Sequence, residues 1–240
     1  MTAVQAALVG REDVADRTTA FHFTKPPGLH FKAGQAIDVI LADAAAADAT
    51  ERHAFSIVSA PFQNELIIAT RMRDSAFKRR LGALRIGQSV HIEGPFGSLI
   101  LHNNRARPAF LIAGCIGITP FVSILRQAAQ DGLQQQLLLL YGNRRPEDAA
   151  FLDELQQQLT AANARFRLVG TMTKMATSAR HWDGETRPMD AELLKSLGGG
   201  LLAPICYVAG PPAMVASVRQ ALNRAGIDDD DIRSEEFHGY

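Results

Sequence analysis

A glycine-containing loop carries the clearest chemical signal in this 240-residue chain. Leu111–Pro120 (LIAGCIGITP) predicts a strand that passes through glycines into a helix, with Pro120 in the first turn, where a missing N–H costs nothing. The start of such a helix offers free N–H groups and the positive end of the helix dipole, which suits a pyrophosphate. Gly114 and Gly117 let the backbone approach a ligand closely. The alternative is an ordinary turn between a strand and a helix.

A second loop of the same kind follows later in the chain. Cys206–Met214 (CYVAGPPAM) again predicts a strand, and Gly210 and Pro211 lie between it and a following helix. Ligands of open α/β sheets bind at the carboxyl ends of the strands, where both loops lie. Two such loops on one sheet favour a dinucleotide over a single phosphate.

Two earlier segments combine aromatic, hydroxyl and cationic side chains. Arg52–Ser59 (RHAFSIVS) predicts a strand on which His53 and Phe55 share a face, as an aromatic against a flavin ring would require; a core aromatic is the alternative. Arg71–Lys78 (RMRDSAFK) predicts a helix start capped by Asp74 or Ser75 and surrounded by cations. This start could hold phosphate or simply face solvent.

The elements that position these segments divide the chain into two halves. The first hundred residues predict an antiparallel barrel of short strands, interrupted by a helix over Ser75–Leu84. Its strands are expected at Val4–Val9, Thr18–Phe23, Ala36–Leu41, Ala54–Ser59, Glu65–Arg71, Ser89–Glu93 and Ser98–Leu101. After a polar hinge, His102–Arg107, strands and helices alternate, which predicts a parallel sheet with helices on both faces. The expected strands are Ala109–Ala113, Gln136–Tyr141, Arg165–Gly170, Cys206–Ala209 and Ile232–Phe237, and the helices are Pro120–Gln130, Pro146–Leu159, Asp190–Leu197 and Pro212–Ala225.

The composition argues against several functional classes. The 25 basic and 25 acidic residues cancel, so no net field draws the chain to nucleic acid or to a membrane. No apolar stretch approaches the roughly 20 residues of a membrane helix, and the first residues lack a signal-peptide pattern. Two cysteines, Cys115 and Cys206, are too few for an iron–sulfur cluster and suit a reducing compartment. We expect a cytoplasmic protein with no metal site in this chain and no nucleic-acid or membrane partner.

Taken in order, five motifs resemble those of the ferredoxin–NADP reductase superfamily over nearly the whole chain. His53–Ser56 resembles the family's Arg-x-Tyr-Ser motif, and Gly94–Gly97 its Gly-Pro-x-Gly turn. Ala113–Pro120 resembles the Gly-Gly-x-Gly-x-Thr-Pro loop, Ala209–Pro211 the Cys-Gly-Pro motif, and Glu235–Phe237 the near-terminal Glu-x-Phe. The resemblance implies an antiparallel Greek-key flavin-binding β-barrel over residues 1–104. It also implies an NAD(P)-binding α/β domain over residues 105–240, and hydride transfer between nicotinamide and flavin N5.

The resemblance also implies roles for individual residues. Ser56, Glu235 and Phe237 are the candidate catalytic group, with Phe55 stacking on the flavin and the N–H groups of residues 75–77 holding pyrophosphate. Thr119 and Gly114 should line the nicotinamide path opposite Gly210 and Pro211, and the tail should cover the flavin, with Phe237 favoured over Tyr240 as the stacking ring. The candidate cofactor-binding set is His53, Ala54, Phe55, Ser56, Thr70, Arg71, Ser75, Ala76, Phe77, Lys78, Gly114, Gly117, Thr119, Thr173, Lys174, Gly210, Pro211 and Tyr240.

Three positions depart from the family pattern. His53 replaces the arginine that contacts the flavin phosphates, and Arg52 falls on the other face of the strand. Either the Arg71–Lys78 segment holds the phosphates, or cofactor affinity is lower. Cys115 replaces the second glycine of the nucleotide loop, and Ala209 stands where many members carry a cysteine.

The cofactor and partner hypotheses follow from the same resemblance. FAD is expected rather than FMN, and NADPH is slightly favoured over NADH because Thr173 and Lys174 match a Ser-Arg pair that binds the 2′-phosphate, with Arg144, Arg145 or Arg180 nearby. An ordinary surface lysine is the alternative. We expect a flavin-dependent NAD(P)H oxidoreductase that passes electrons to a separate one-electron acceptor, such as ferredoxin, flavodoxin or an oxygenase component. A free-flavin or ferric reductase, a non-catalytic electron-transfer subunit and a nucleotide-binding module without flavin are the alternatives.

Overall fold

Two sheets form the framework of the chain in the computed structural model, which describes residues 3–42, 50–159 and 165–238. The first sheet contains β1 (Val4–Ala15), β2 (Thr18–Thr24), β3 (Ala36–Ala42), β4 (Thr50–Ser56), β5 (Glu65–Arg71) and β6 (Ser89–Phe96), with helix α1 (Ala76–Ala83) between the last two. The second contains β7 (Ala109–Gly114), β8 (Leu137–Asn143), β9 (Phe166–Met172), β10 (Ile205–Gly210) and β11 (Ile232–Glu236), with helices α2 (Thr119–Gln130), α3 (Ala191–Gly198) and α4 (Pro212–Arg224). The predicted fold class, an antiparallel barrel followed by an α/β domain, is confirmed.

The first sheet is antiparallel, in the order β4-β3-β6-β1-β2-β5. Strand β6 returns to lie between β1 and β3, a Greek-key arrangement, and the two end strands β4 and β5 also contact each other. Alternate side chains point inwards, so that Phe21 and Phe23 of β2 are fully buried in the barrel core. Phe77 and Leu81 of α1 join this core and anchor the helix to the barrel.

The second sheet is parallel, in the order β11-β10-β7-β8-β9. Every residue of β7, β8 and β10 is buried, as expected for central strands covered on both faces. α2 packs on one face, and α3 and α4 pack on the other. The expected boundary between residues 104 and 105 falls in the segment that joins the two sheets.

Helix α2 also packs against the barrel. Its buried residues share a core with Val58, Ile67 and Leu99 of the first domain. Ser123 Oγ donates a buried hydrogen bond of 2.7 Å to the carbonyl of Ser59. Arg126 forms a two-pronged ion pair with Glu154 at 2.7 and 2.8 Å. One helix therefore fixes the position of the barrel relative to the parallel sheet.

Two predicted elements are wrong. Residues 98–101 form no regular strand. Residues 146–159 are not one helix. A 3₁₀ turn (Pro146–Asp148) comes first, and the Asp148 carboxylate is buried between Arg71 and Arg145. Phe151 then adopts a left-handed φ of 59°, and a π-helical segment follows over Glu154–Leu159. The polar segment His102–Arg107, which joins the two sheets as predicted, packs against the second sheet: His102 is 7% exposed and its backbone N–H donates to Tyr207 Oη at 2.8 Å.

The lengths and compositions of the helices in the described residues show whether any of them could span a membrane. None of them combines the length and the apolar character that crossing a membrane would require.

Gly117 gives a direct test of the packing at the start of α2. A Cβ on Gly117 would lie 2.2 Å from the carbonyl oxygen of Ala209, which belongs to buried backbone. Since overpacking of this kind costs about 1–3 kcal/mol, we expect Gly117→Ala to lower the free energy of unfolding by about that amount in urea denaturation. Gly200→Ala is the matched control, because nothing lies within 4 Å of its Cβ position. Equal denaturation midpoints for the two variants would contradict this packing.

Candidate functional site

A cleft of about 500 Å³ lies where the barrel meets the parallel sheet, and we call it the junction cleft. Five segments that are distant in sequence line it: the start of β3, β4, the stretch from the end of β5 to the start of α1, the turn leading into α2, and the end of β11 with the residues after it. Its lining residues are Ala36, His53, Ala54, Phe55, Ser56, Ala69, Thr70, Arg73, Asp74, Ser75, Lys78, Ile116, Thr119, Glu235, Glu236, Phe237 and His238. The structure thus brings together most of the barrel residues of the candidate set with Thr119, Glu235 and Phe237.

The aromatic wall of the junction cleft is built on β4. The His53 and Phe55 rings both lie against Phe77, with centroids 4.3 and 5.8 Å away, so they share a face as predicted. Phe55 is half-buried: it packs on the barrel core and also lines the cleft. Arg52 lies on the other face, where its guanidinium pairs with Asp38 at 3.6 Å and with Glu93.

Two polar groups of the junction cleft, the buried Ser56 and the half-buried Glu235, lack a compensating partner among the described residues. Ser56 is 6% exposed, and its Oγ has no hydrogen-bond partner among the described residues. A buried hydroxyl without a partner is costly, so this oxygen is suited to a ligand. Burial also raises the pKa of Glu235, which favours its protonated form.

The start of α1 is capped by Ser75, whose Oγ accepts a hydrogen bond of 3.2 Å from the backbone N–H of Lys78. The N–H of Ser75 itself donates to the carbonyl of Arg73 at 2.9 Å, so the expectation that it would be free for phosphate is wrong. The N–H groups of Ala76 and Phe77, in the first turn, have no partner among the described residues. Two of the three expected donors are therefore available.

The cations around this helix start have different tasks. Lys78 is buried and donates to the carbonyl of Arg71 at 2.8 Å, and burial, with the charge of Arg73, lowers its pKa. Arg71 forms an ion pair of 3.2 Å with Asp148 of the second domain. Arg73 is exposed and forms no ion pair among the described residues. Of these three cations, Arg73 is thus the most available to bind a phosphate. The spacing of the motif alone could not predict which of the three it would be.

A second cavity of about 810 Å³ adjoins the junction cleft. We call it the arginine pocket, because Arg17, Arg71 and Arg73 from the barrel face Arg144 from the parallel-sheet domain. Met72, Asp74, Cys115, Pro211, Pro212, Phe237 and His238 complete its lining. Sequence reasoning missed Arg17, which lies in a turn outside every motif.

The tail after β11 separates the two cavities. Phe237 and His238 line both, and the Phe237 N–H donates to the carbonyl of Gly210 at 2.9 Å. Tyr240 lies outside the described residues, so its expected contact with a cofactor stays a prediction.

The glycine loop is shaped mainly by packing. Cys115–Ile118 form a 3₁₀ turn that leads into α2, and Gly114 and Gly117 lie against Met214 and Ala209 rather than in either cavity. Cys115 has a left-handed φ of 52°, a conformation that the family's glycine adopts without strain. Burial raises the pKa of its thiol.

Thr173 and Lys174 lie at the carboxyl edge of the parallel sheet. The backbone N–H of Lys174 donates to the carbonyl of Arg144 at 2.7 Å, which places the backbones of these two residues side by side. Arg145 pairs with Asp148 and Asp16, and Arg180 pairs with Asp153, so both are engaged elsewhere. Within the described ranges, no group of three or more His, Cys, Asp or Glu side chains is arranged to hold a metal ion.

The half-buried Glu235 gives a pH-dependent prediction. Its pKa in the folded chain lies above the ordinary 4.5, so the unfolded chain loses this proton first and stability falls as the pH rises from 4.5 through the folded-state pKa. We expect Glu235→Gln to remove this loss, so that the variant gains stability over the native chain with rising pH. Urea denaturation across this pH range measures the difference. Glu192→Gln, on an exposed helix surface, is the control. If the stability difference between Glu235→Gln and the native chain changed with pH no more than that of the control, the burial of Glu235 would be contradicted.

Comparisons with known proteins agree with this architecture. The family model of the oxidoreductase NAD-binding domain matches residues 111–220. Ferredoxin–NADP reductase B of Sorangium cellulosum is 28% identical over 225 residues, 90% of this chain and 89% of that protein. Reductase component 2 of terephthalate 1,2-dioxygenase from Comamonas sp is 26% identical over 209 residues, 86% of this chain and 59% of that protein, so this chain spans little more than half of it.

A solved structure extends the likeness to the fold. The ferredoxin NADP⁺ reductase of Neisseria gonorrhoeae, with bound FAD and NADP, matches with a TM-score of 0.81 at 21% identity and covers 98% of this chain and 99% of that one. With the five motifs in order and both sheets in place, the chain is similar in sequence to ferredoxin–NADP reductases and shares their two-domain fold.

Proposed function

We propose that this chain is an FAD-containing NAD(P)H oxidoreductase that passes electrons to a separate one-electron acceptor protein. The observation that carries the proposal is the junction cleft, in which motif segments of both domains meet beside the arginine pocket. The division of labour is a flavin-binding barrel over residues 1–104 and a nucleotide-binding domain over residues 105–240.

The residues of the junction cleft fit a flavin. Phe55 offers a half-exposed aromatic surface for a flat ring, and the unpartnered Ser56 Oγ offers a hydrogen bond to its edge. The N–H groups of Ala76 and Phe77 and the guanidinium of Arg73 suit the phosphates. Bound FAD would accept a hydride and release single electrons, while the protein supplies orientation and polarity.

The arginine pocket fits a nicotinamide nucleotide. Its guanidinium groups complement phosphate, and it meets the junction cleft at Phe237. Phe237 therefore lies where the nicotinamide must reach the flavin. Its ring would cover the flavin face on which the nicotinamide docks, until the nucleotide displaces it. Lys174 beside Arg144 favours NADPH, because these cations suit the additional 2′-phosphate.

The acceptor is proposed from the relatives. One is named a ferredoxin–NADP reductase and another a reductase component of a dioxygenase, so a ferredoxin, a flavodoxin or an oxygenase component is the class of partner proposed here. Such a role agrees with a cytoplasmic location.

The proposal predicts that the purified protein is yellow, with absorption at about 450 nm from bound flavin. Heat denaturation should release FAD in a one-to-one ratio with the protein, measured by chromatography against FAD and FMN standards. Ser56→Ala should weaken FAD binding, while Ser98→Ala, on an exposed loop, should not. A folded, colourless protein that takes up neither flavin would refute the function, and a flavin lost at each reduction by NADPH would indicate a free-flavin reductase.

A second prediction concerns the choice of nucleotide. Lys174→Ala should raise the KM for NADPH about tenfold or more and leave that for NADH nearly unchanged, because a charge-assisted contact is worth about 1.5–3 kcal/mol. Steady-state reduction of a dye acceptor with each nucleotide measures this ratio. Lys195→Ala, on the exposed surface of α3, is the matched control. Equal changes with both nucleotides would show that Lys174 does not read the 2′-phosphate.

A further inference from the structure

The turn between β1 and β2 brings an unexpected residue to the arginine pocket. Its two residues are Asp16 and Arg17, and Arg17 has a φ of 52°. This left-handed conformation is strained for most side chains and is usually taken by glycine in tight hairpins. The chain therefore keeps an arginine at a position where the backbone favours glycine.

Hydrogen bonds and an ion pair attach this turn to the second domain and to the segment after β5. The Asp16 N–H donates to the carbonyl of Glu147 at 2.7 Å, and the Asp16 carboxylate pairs with Arg145 at 3.2 Å. The Arg17 carbonyl accepts a hydrogen bond of 2.6 Å from the N–H of Met72, just after β5. Of Arg17 itself, these contacts engage only the backbone carbonyl, and its side chain stays available.

The Arg17 side chain is exposed and lines the arginine pocket. Arg71 on the same wall is engaged with Asp148, whereas Arg17 forms no ion pair within residues 3–42, 50–159 and 165–238. On the opposite wall, α4 begins at Pro212 and brings the positive end of its dipole to the pocket. An anionic group between these walls would meet positive potential from both domains.

We infer that Arg17 binds the diphosphate of the nicotinamide nucleotide, an inference that rests on the proposed function. The pocket meets the junction cleft at Phe237, and Lys174 lies beyond Arg144 at the sheet edge. The diphosphate links the nicotinamide half of the nucleotide to the adenosine half, so it falls between these two ends. The guanidinium offers a planar fork of donors that matches phosphate oxygens.

Arg17→Gly separates this role from a structural one. Glycine accepts the left-handed φ without strain, so the melting temperature should stay the same or rise. Loss of the guanidinium should raise the Kd for NADP⁺ and for NAD⁺ by the same factor, about tenfold, because both nucleotides carry the diphosphate. Arg17→Lys should keep much of the affinity. Arg85→Ala, which removes an exposed positive charge from the barrel outside both cavities, should leave both Kd values unchanged.

Isothermal titration of the flavin-loaded protein with NADP⁺ and NAD⁺, together with thermal denaturation of each variant, measures these effects. Unchanged Kd values for Arg17→Gly, with normal binding by the native protein, would overturn the inference and leave the proposed function intact. Weakening of NADP⁺ alone would also overturn it, because Arg17 would then contact the 2′-phosphate. Failure of the native protein to bind either nucleotide would refute the function together with the inference.

Discussion

The packing of α2 between the barrel and the parallel sheet is the constraint on which the rest of the structure depends. The helix follows the glycine loop directly, and its buried face shares one apolar core with both domains. Ser123 and Arg126 add hydrogen bonds to the barrel carbonyls of Ser59 and Val58. Because a close-packed core tolerates little displacement, Thr119 and Ile116 are held at the junction cleft opposite the aromatic wall of β4.

Charge pairing across the domain boundary decides which cations are available to a ligand. Asp148 engages Arg71 and Arg145, and Arg145 also reaches Asp16. Removing one partner of a partly buried ion pair costs more folding stability than removing one partner of an exposed pair. Arg71 and Arg145 are therefore engaged in ion pairs where the two domains meet. The positive charge available to a phosphate comes from Arg17, Arg73 and Arg144, whose side chains are all exposed.

Local patterns predicted the local features of the fold. Strand β5 has its expected bounds, and α1 is capped by Ser75, one of its two expected caps. The sequence could not show that Phe151 interrupts a helix or that Arg17 reaches a pocket, because each depends on contacts between distant segments. Gly117 matched its motif for a different reason: the loop packs on Ala209, so the residue must be small whether or not a ligand binds.

Hydrogen–deuterium exchange of the flavin-free chain, with and without FAD, shows whether both domains contribute to one flavin site. If they do, FAD slows exchange in residues 53–56 and 73–78 of the barrel and also in residues 116–119 and 235–238 of the second domain, since all four segments line the junction cleft. Protection confined to the barrel segments, with unchanged exchange in residues 116–119 and 235–238, would mean that the barrel alone holds the flavin.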